Sequence, residues 1–107
     1  MDLNFTQMQE MQKELQAKYE YKWGGLSPAG ARDHLLWMLV EAGEAADIIK
    51  KEGDTQIMQN EKVRKHFVEE LCDVMMYLND VMQCYEITPQ ELAEVYVEKH
   101  ERNMKRW

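Results

Sequence analysis

The sequence predicts an all-α protein, a four-helix bundle forming a single domain over residues 1–107. Three observations point there. Apolar residues recur with the 3.6-residue period of helices, and no stretch of useful length alternates as a strand would. The chain has only two prolines, and both stand where a helix would begin. The breaks between periodic segments are short and carry glycine, as at "GGLSPAG" and at Gly53.

The first helix is expected in "FTQMQEMQKELQAKYEYKW", with Thr6 and Gln9 in the form of a capping box and Met8, Met11, Leu15 and Tyr19 at helical spacing. Ser27 and Pro28 suit the N-cap and first residue of a second helix running to about Glu52. Lys50 and Lys51 complement its negative end there, and Gly53 suits the left-handed cap. "DTQIMQ", residues 54–59, is a connection whose form the pattern leaves open. A third helix is expected from near Asn60 to Tyr85, with Val63, Phe67, Leu71, Val74, Leu78 and Val81 along its core side. In "ITPQEL", Thr88, Pro89 and Glu91 fill the N-cap, N1 and N3 roles of a last helix reaching about Lys105.

A hydrophobic fraction of 45% is enough for a core, and a formal charge of -7 disfavours nucleic acid or an anionic membrane as partner. No apolar run approaches the roughly 20 residues of a membrane span, and "MDLNFTQ" lacks a signal peptide's basic start. A cytoplasmic protein is expected. Cys72 and Cys84 are placed on one helix, about 18 Å apart by helical rise, so they cannot pair within the chain. Buried, reduced thiols are expected.

The chemistry-bearing feature is a repeated acid-x-x-acid pattern. Glu41 and Glu44 share one helix face, as do Glu70 and Asp73, and apolar residues flank both pairs. If both faces turn inward, four carboxylates converge and require cations or protons. An all-oxygen set suits a hard ion, Mg²⁺ first and Mn²⁺ second. The Glu-x-x-His of bundle iron sites is missing, although His66, four before Glu70, is placed to lend it a hydrogen bond. Acid pairs at this spacing also occur on solvated faces, and spacing alone leaves the two readings about even.

The strings "VEAGEAAD" and "EELCDVMMYL", with the helix order and length around them, resemble the two motif helices of the MazG-like nucleotide pyrophosphohydrolases, of the all-α NTP pyrophosphatase superfamily. The likeness runs over nearly the whole chain. It implies hydrolysis of a nucleoside triphosphate to monophosphate and pyrophosphate, with Mg²⁺ held by Glu41, Glu44, Glu70 and Asp73. It also implies water oriented by one of these or by Glu69, and a role in cleaning the nucleotide pool. Lys99 and Arg102 match the family's basic last helix, with His100 in place of its usual aromatic, and Asn103 and Arg106 extend that side towards the phosphates. Many relatives carry an acid where this chain has Val40, which leaves the number of metals open. The resemblance further implies a homodimer or homotetramer, in which the last helix serves a neighbouring chain.

For a base pocket the candidates are His34, Trp37 and Tyr77, on the lines of the carboxylates, with Trp23 and Trp107 further off. Two rival functions stand beside the first: a related hydrolase acting on dUTP or a phosphoribosyl nucleotide, and a non-enzymatic helical interaction or regulatory module whose acids are solvated.

Overall fold

A computed structural model describes all 107 residues and is all-helical, without a strand. Four long helices carry the chain: α1 (Phe5–Lys18), α3 (Ala31–Glu52), α5 (Glu61–Cys84) and α6 (Pro89–Arg106). Two short ones, α2 (Glu20–Trp23) and α4 (Asp54–Gln59), fill the connections, and Pro28–Gly30 form a 3₁₀ turn leading into α3. The stretch "DTQIMQ" is therefore helical.

The helix ends follow local chemistry, with some corrections. The capping box of α1 is Asn4 with Gln7, not Thr6 with Gln9: Asn4 Oδ1 accepts from the Gln7 amide at 2.8 Å, and Gln7 Oε1 accepts from the Asn4 amide at 2.9 Å. Asn caps more strongly than Thr, and Gln9 is used elsewhere. Ser27 precedes the 3₁₀ turn, and its side chain makes no capping bond. Gly53 ends α3 at φ +83°, a backbone that only glycine adopts freely. Asn60 caps α5, accepting from Lys62 and Val63, and Thr88 caps α6, accepting from Glu91. Between α5 and α6, Ile87 donates to Met82 O and Glu86 to Gln83 O, the paired bonds of a Schellman motif. Glu86 takes its left-handed position at φ 56°, so the sequence lacks the usual glycine signal there.

The main packing joins α3 to α5, and α4 and α1 also pack against α5. Ala31, Ala45 and Ile48 from α3 and Met82 and Cys84 from α5 form the buried apolar set. The inward face of α1 is polar: Gln9 and Gln12 are buried while Met11 is exposed. Gln9 Nε2 donates to Ile87 O at 3.1 Å, tying α1 to the start of α6. On α5, Leu71 is exposed rather than core. Of the cysteines only Cys84 is buried; Cys72 faces solvent, and both are free thiols.

The fourth long helix does not close a bundle within one chain. α6 touches only α1 and buries none of its residues. The accessible surface is 8534 Å², against about 6,300 Å² for a compact chain of this mass. The radius of gyration is 16.2 Å, against about 13 Å. No helix is long and apolar enough to cross a membrane.

Candidate functional site

The pairing of α3 with α5 brings the two acidic motifs face to face. One carboxylate oxygen from each of Glu41, Glu44 and Glu70 lies within 4.8 Å of the others, close enough to share one cation. Glu41 and Glu70 are half-buried, and Glu44 is exposed. Asp73, one turn beyond Glu70, stands outside that closest group but within its field. Its carboxyl is raised above the ordinary range by burial and then by the charges of Glu70 and Glu69. Glu41 is pushed up to about 7, first by the carboxyl of Glu70 close beside it. Burial, Glu44 and the charge of Asp73 add to that. Such a shift reflects carboxylates crowded against one another.

Glu70 shows what the group lacks. His66 Nε2 approaches its Oε1 at 3.3 Å, as the i, i+4 spacing anticipated. Its Oε2 is buried without a hydrogen-bond partner. A buried carboxylate oxygen in that state is costly unless something positive reaches it. Three oxygen donors, an orphaned buried oxygen and no Cys or His in the closest group suit a hard divalent cation such as Mg²⁺ or Mn²⁺.

Beside the acids lies a cavity of about 600 Å³, a size suited to a small ligand. Glu41 and Asp73 line it, and so do His34, Trp37 and Tyr77, the three expected base-pocket residues. Their rings form one aromatic cluster: His34 meets Trp37 edge-on at 5.0 Å between centroids, and Tyr77 lies 6.3 Å from His34 and 6.1 Å from Trp37. The Tyr77 hydroxyl is raised by burial and by the charges of Glu41, Asp80 and Asp73. Trp23 also lines the cavity, its ring 4.7 Å from that of Tyr19. Trp107 is exposed at the far end of α6.

Sequence reasoning missed the polar part of this cavity. Gln12, Gln16 and Asp80 line it as well. Asp80 is only 2% exposed. Its Oδ1 accepts from Gln12 Nε2 at 2.9 Å, and its Oδ2 faces His34 Nδ1 at 3.6 Å. Two spacings could have signalled it. Asp80 stands seven residues after Asp73, on the same face of α5, and Gln9, Gln12 and Gln16 form a stripe on α1.

The expected phosphate-binding residues are not gathered with the acids in one chain. Lys99, Arg102, Asn103 and Arg106 all lie on α6, which has no contact with α3 or α5. The Arg106 guanidinium instead sits 5.0 Å from the ring centroid of Trp107. Comparison with protein-family models, with curated proteins and with solved structures returns no match.

Proposed function

We propose that the protein is a Mg²⁺-dependent nucleoside triphosphate pyrophosphohydrolase, acting as a homodimer or homotetramer, that helps to clean the nucleotide pool. What supports this is the convergence of Glu41, Glu44 and Glu70, with Asp73 beside them, at a cavity walled by His34, Trp37 and Tyr77. A site for a cation adjoins an aromatic surface for a base, as a metal-bound nucleotide requires. The resemblance of the two motif helices to the MazG-like enzymes points to the same chemistry.

In the reaction a water oxygen bonds to the α-phosphorus and the bond to the α–β bridging oxygen breaks, giving a monophosphate and pyrophosphate. Glu41, Glu44, Glu70 and Asp73 would hold the metal, which supplies polarisation of the phosphate oxygens and a lowered pKa for bound water. A carboxylate free of the ion, among them Glu69 on the exposed side of the same turn, orients the water and takes its proton. The aromatic cluster holds the base and so fixes the phosphate chain against the acids, and such positioning is most of what phosphoryl displacement asks of a protein.

The excess surface supports the oligomer. Relative to a compact chain, about 2,200 Å² more is exposed, comparable to what one subunit gives up in an extensive interface. Val95, Val97 and Met104 are among the exposed apolar residues of α6. Docked on a second copy, α6 would bring Lys99, Arg102, Asn103 and Arg106 to the phosphates at a neighbour's acids and complete the four-helix arrangement.

The test is pyrophosphate release from a panel of NTPs and dNTPs, including dUTP, with Mg²⁺ and with EDTA, for wild type and Glu41→Gln. Release that needs Mg²⁺ and is lost in the variant supports the reading. Release from dUTP alone would favour the narrower hydrolase. No release and no Mg²⁺-dependent rise in Tm would favour a helical interaction module.

A further inference from the structure

The cavity is lined by a third acid, which the hydrolytic chemistry does not use. Asp80 comes from α5, Gln12 from α1 and His34 from α3, so three helices meet at one carboxylate. The carboxylate is 2% exposed and lines the cavity. No lysine or arginine forms an ion pair with it. Gln12 donates to Oδ1 and the Gln16 side chain also stabilises the carboxylate, while Oδ2 faces His34 Nδ1 at 3.6 Å, too far for a good hydrogen bond, and that nitrogen is itself buried and without a hydrogen-bond partner. A buried carboxylate accepts and does not donate when ionised, and one oxygen left short of a donor is poorly stabilised. The group that best completes it is an N–H brought in by the ligand.

Resting on the nucleotide reading above, we infer that Asp80 is a specificity-determining residue that accepts a hydrogen bond from an exocyclic amino group of the base, selecting amino-bearing over keto-bearing nucleotides. The aromatic residues His34, Trp37 and Tyr77 offer stacking surface that any base can use, so they cannot make this distinction. Asp80 can. Cytosine and adenine carry the required donor. Uracil and hypoxanthine place a keto oxygen there, which faces the carboxylate as acceptor against acceptor. Sites built around a hydrogen bond reject analogues that leave a buried group unpaired.

The experiment compares kcat/KM for pyrophosphate release with dCTP against dUTP and dATP against dITP, in wild type and Asp80→Asn. Wild type should favour the amino member of each pair by about tenfold to a hundredfold. In the variant, Gln12 Nε2 still needs an acceptor, so the amide oxygen should stay with Gln12 and the amide nitrogen should replace Oδ2. The acceptor then becomes a donor, and the preference should fall to parity or reverse, chiefly through KM. A purely structural role for Asp80 would lower all four rates together and leave the ratios unchanged. A 2-pyrimidinone deoxynucleotide, which keeps the ring and lacks the amino group, gives a second measurement on wild type alone should the variant fail to fold. It should be used at least about tenfold less well than dCTP.

Turnover of all nucleotides without amino preference, or a preference that survives Asp80→Asn, would overturn the role of Asp80 and leave the hydrolase intact. No pyrophosphate from any nucleotide would overturn both.

Discussion

Helix α5 carries two acidic sites seven residues apart, and the fold treats them in opposite ways. At Glu70 and Asp73 the helix meets Glu41 and Glu44 of α3, acid against acid, and Glu70 Oε2 is left buried with no partner. At Asp80 it meets Gln12 of α1, and an amide donates to the carboxylate at 2.9 Å. Burial raises Asp80, while Gln12, His34 and Gln16 pull it back down. At Glu41 the leading cause, the Glu70 carboxyl, and every other neighbour push the same way, up to about 7. The first site sets carboxylates against one another and leaves a buried oxygen without a partner. The second receives its amide partner from within the fold.

The largest effect that would test this contrast is on catalysis. Glu41→Gln or Glu70→Gln should lower Mg²⁺-dependent pyrophosphate release by about a hundredfold or more. The same substitutions, like Glu44→Gln and Asp73→Asn, remove repulsion and should raise Tm in metal-free buffer by roughly 2–5 °C. A fall in metal-free Tm for all of them would break the picture of a crowded, uncompensated cluster.

Next in size is the opposite response at the second site. Gln12→Ala strands the buried Asp80 carboxylate and should cost about 2 kcal/mol of stability, read by denaturant unfolding. A neutral result would mean that Asp80 does not depend on Gln12.

A third test uses pH. Glu41 has a folded pKa of about 7 against an ordinary 4.5, so between those values the folded state holds more protons than the unfolded chain. Metal-free stability should therefore fall as pH rises from about 4.5 to about 7 and level off above that, with Asp73 and Asp80, also raised, acting in the same direction. Adding Mg²⁺ at pH 8 should restore what the rise in pH removed, with Tm climbing as the ion exceeds its Kd. Stability that rises through this window, with no response to Mg²⁺, would place the counter-charge elsewhere.

The smallest expected shift in stability belongs to α6. Lys99→Ala and Arg102→Ala are exposed and should move unfolding free energy by no more than about 0.5 kcal/mol. Pyrophosphate release should still drop about tenfold if these residues reach a neighbour's phosphates. Unchanged activity would remove α6 from the site.

Much of the fold was legible because its causes are local. Asn60, Thr88 with Pro89, and Gly53 mark helix ends through bonds and φ angles spanning a few residues. The acid pairs were legible for the same reason, since three residues apart means one face wherever a helix forms. The errors arose where distant segments compete for a side chain. Gln9 could not be read as a partner of Ile87, nor Gln12 as a partner of Asp80, because those pairs lie 78 and 68 residues apart in the chain. Leu71 and Met11 read as inward by period yet are exposed, because no element of the same chain covers them.

By itself, then, the sequence determined that the chain is helical, where α5 and α6 start and stop and where α3 ends, and that two helices each present a pair of acids; the break of the first helix at Tyr19 and the 3₁₀ turn before α3 were not read from it. Hydrogen bonding within a turn and side-chain periodicity decide these things, and both act over a few residues. Only the tertiary structure decided that the two pairs meet, that Glu70 keeps an unpartnered oxygen, that a cavity with a buried carboxylate adjoins them, and that α6 stands away from all of it. Those outcomes depend on which helix faces pack together. Packing is settled by burial and charge summed over the whole chain, which no single stretch of residues encodes.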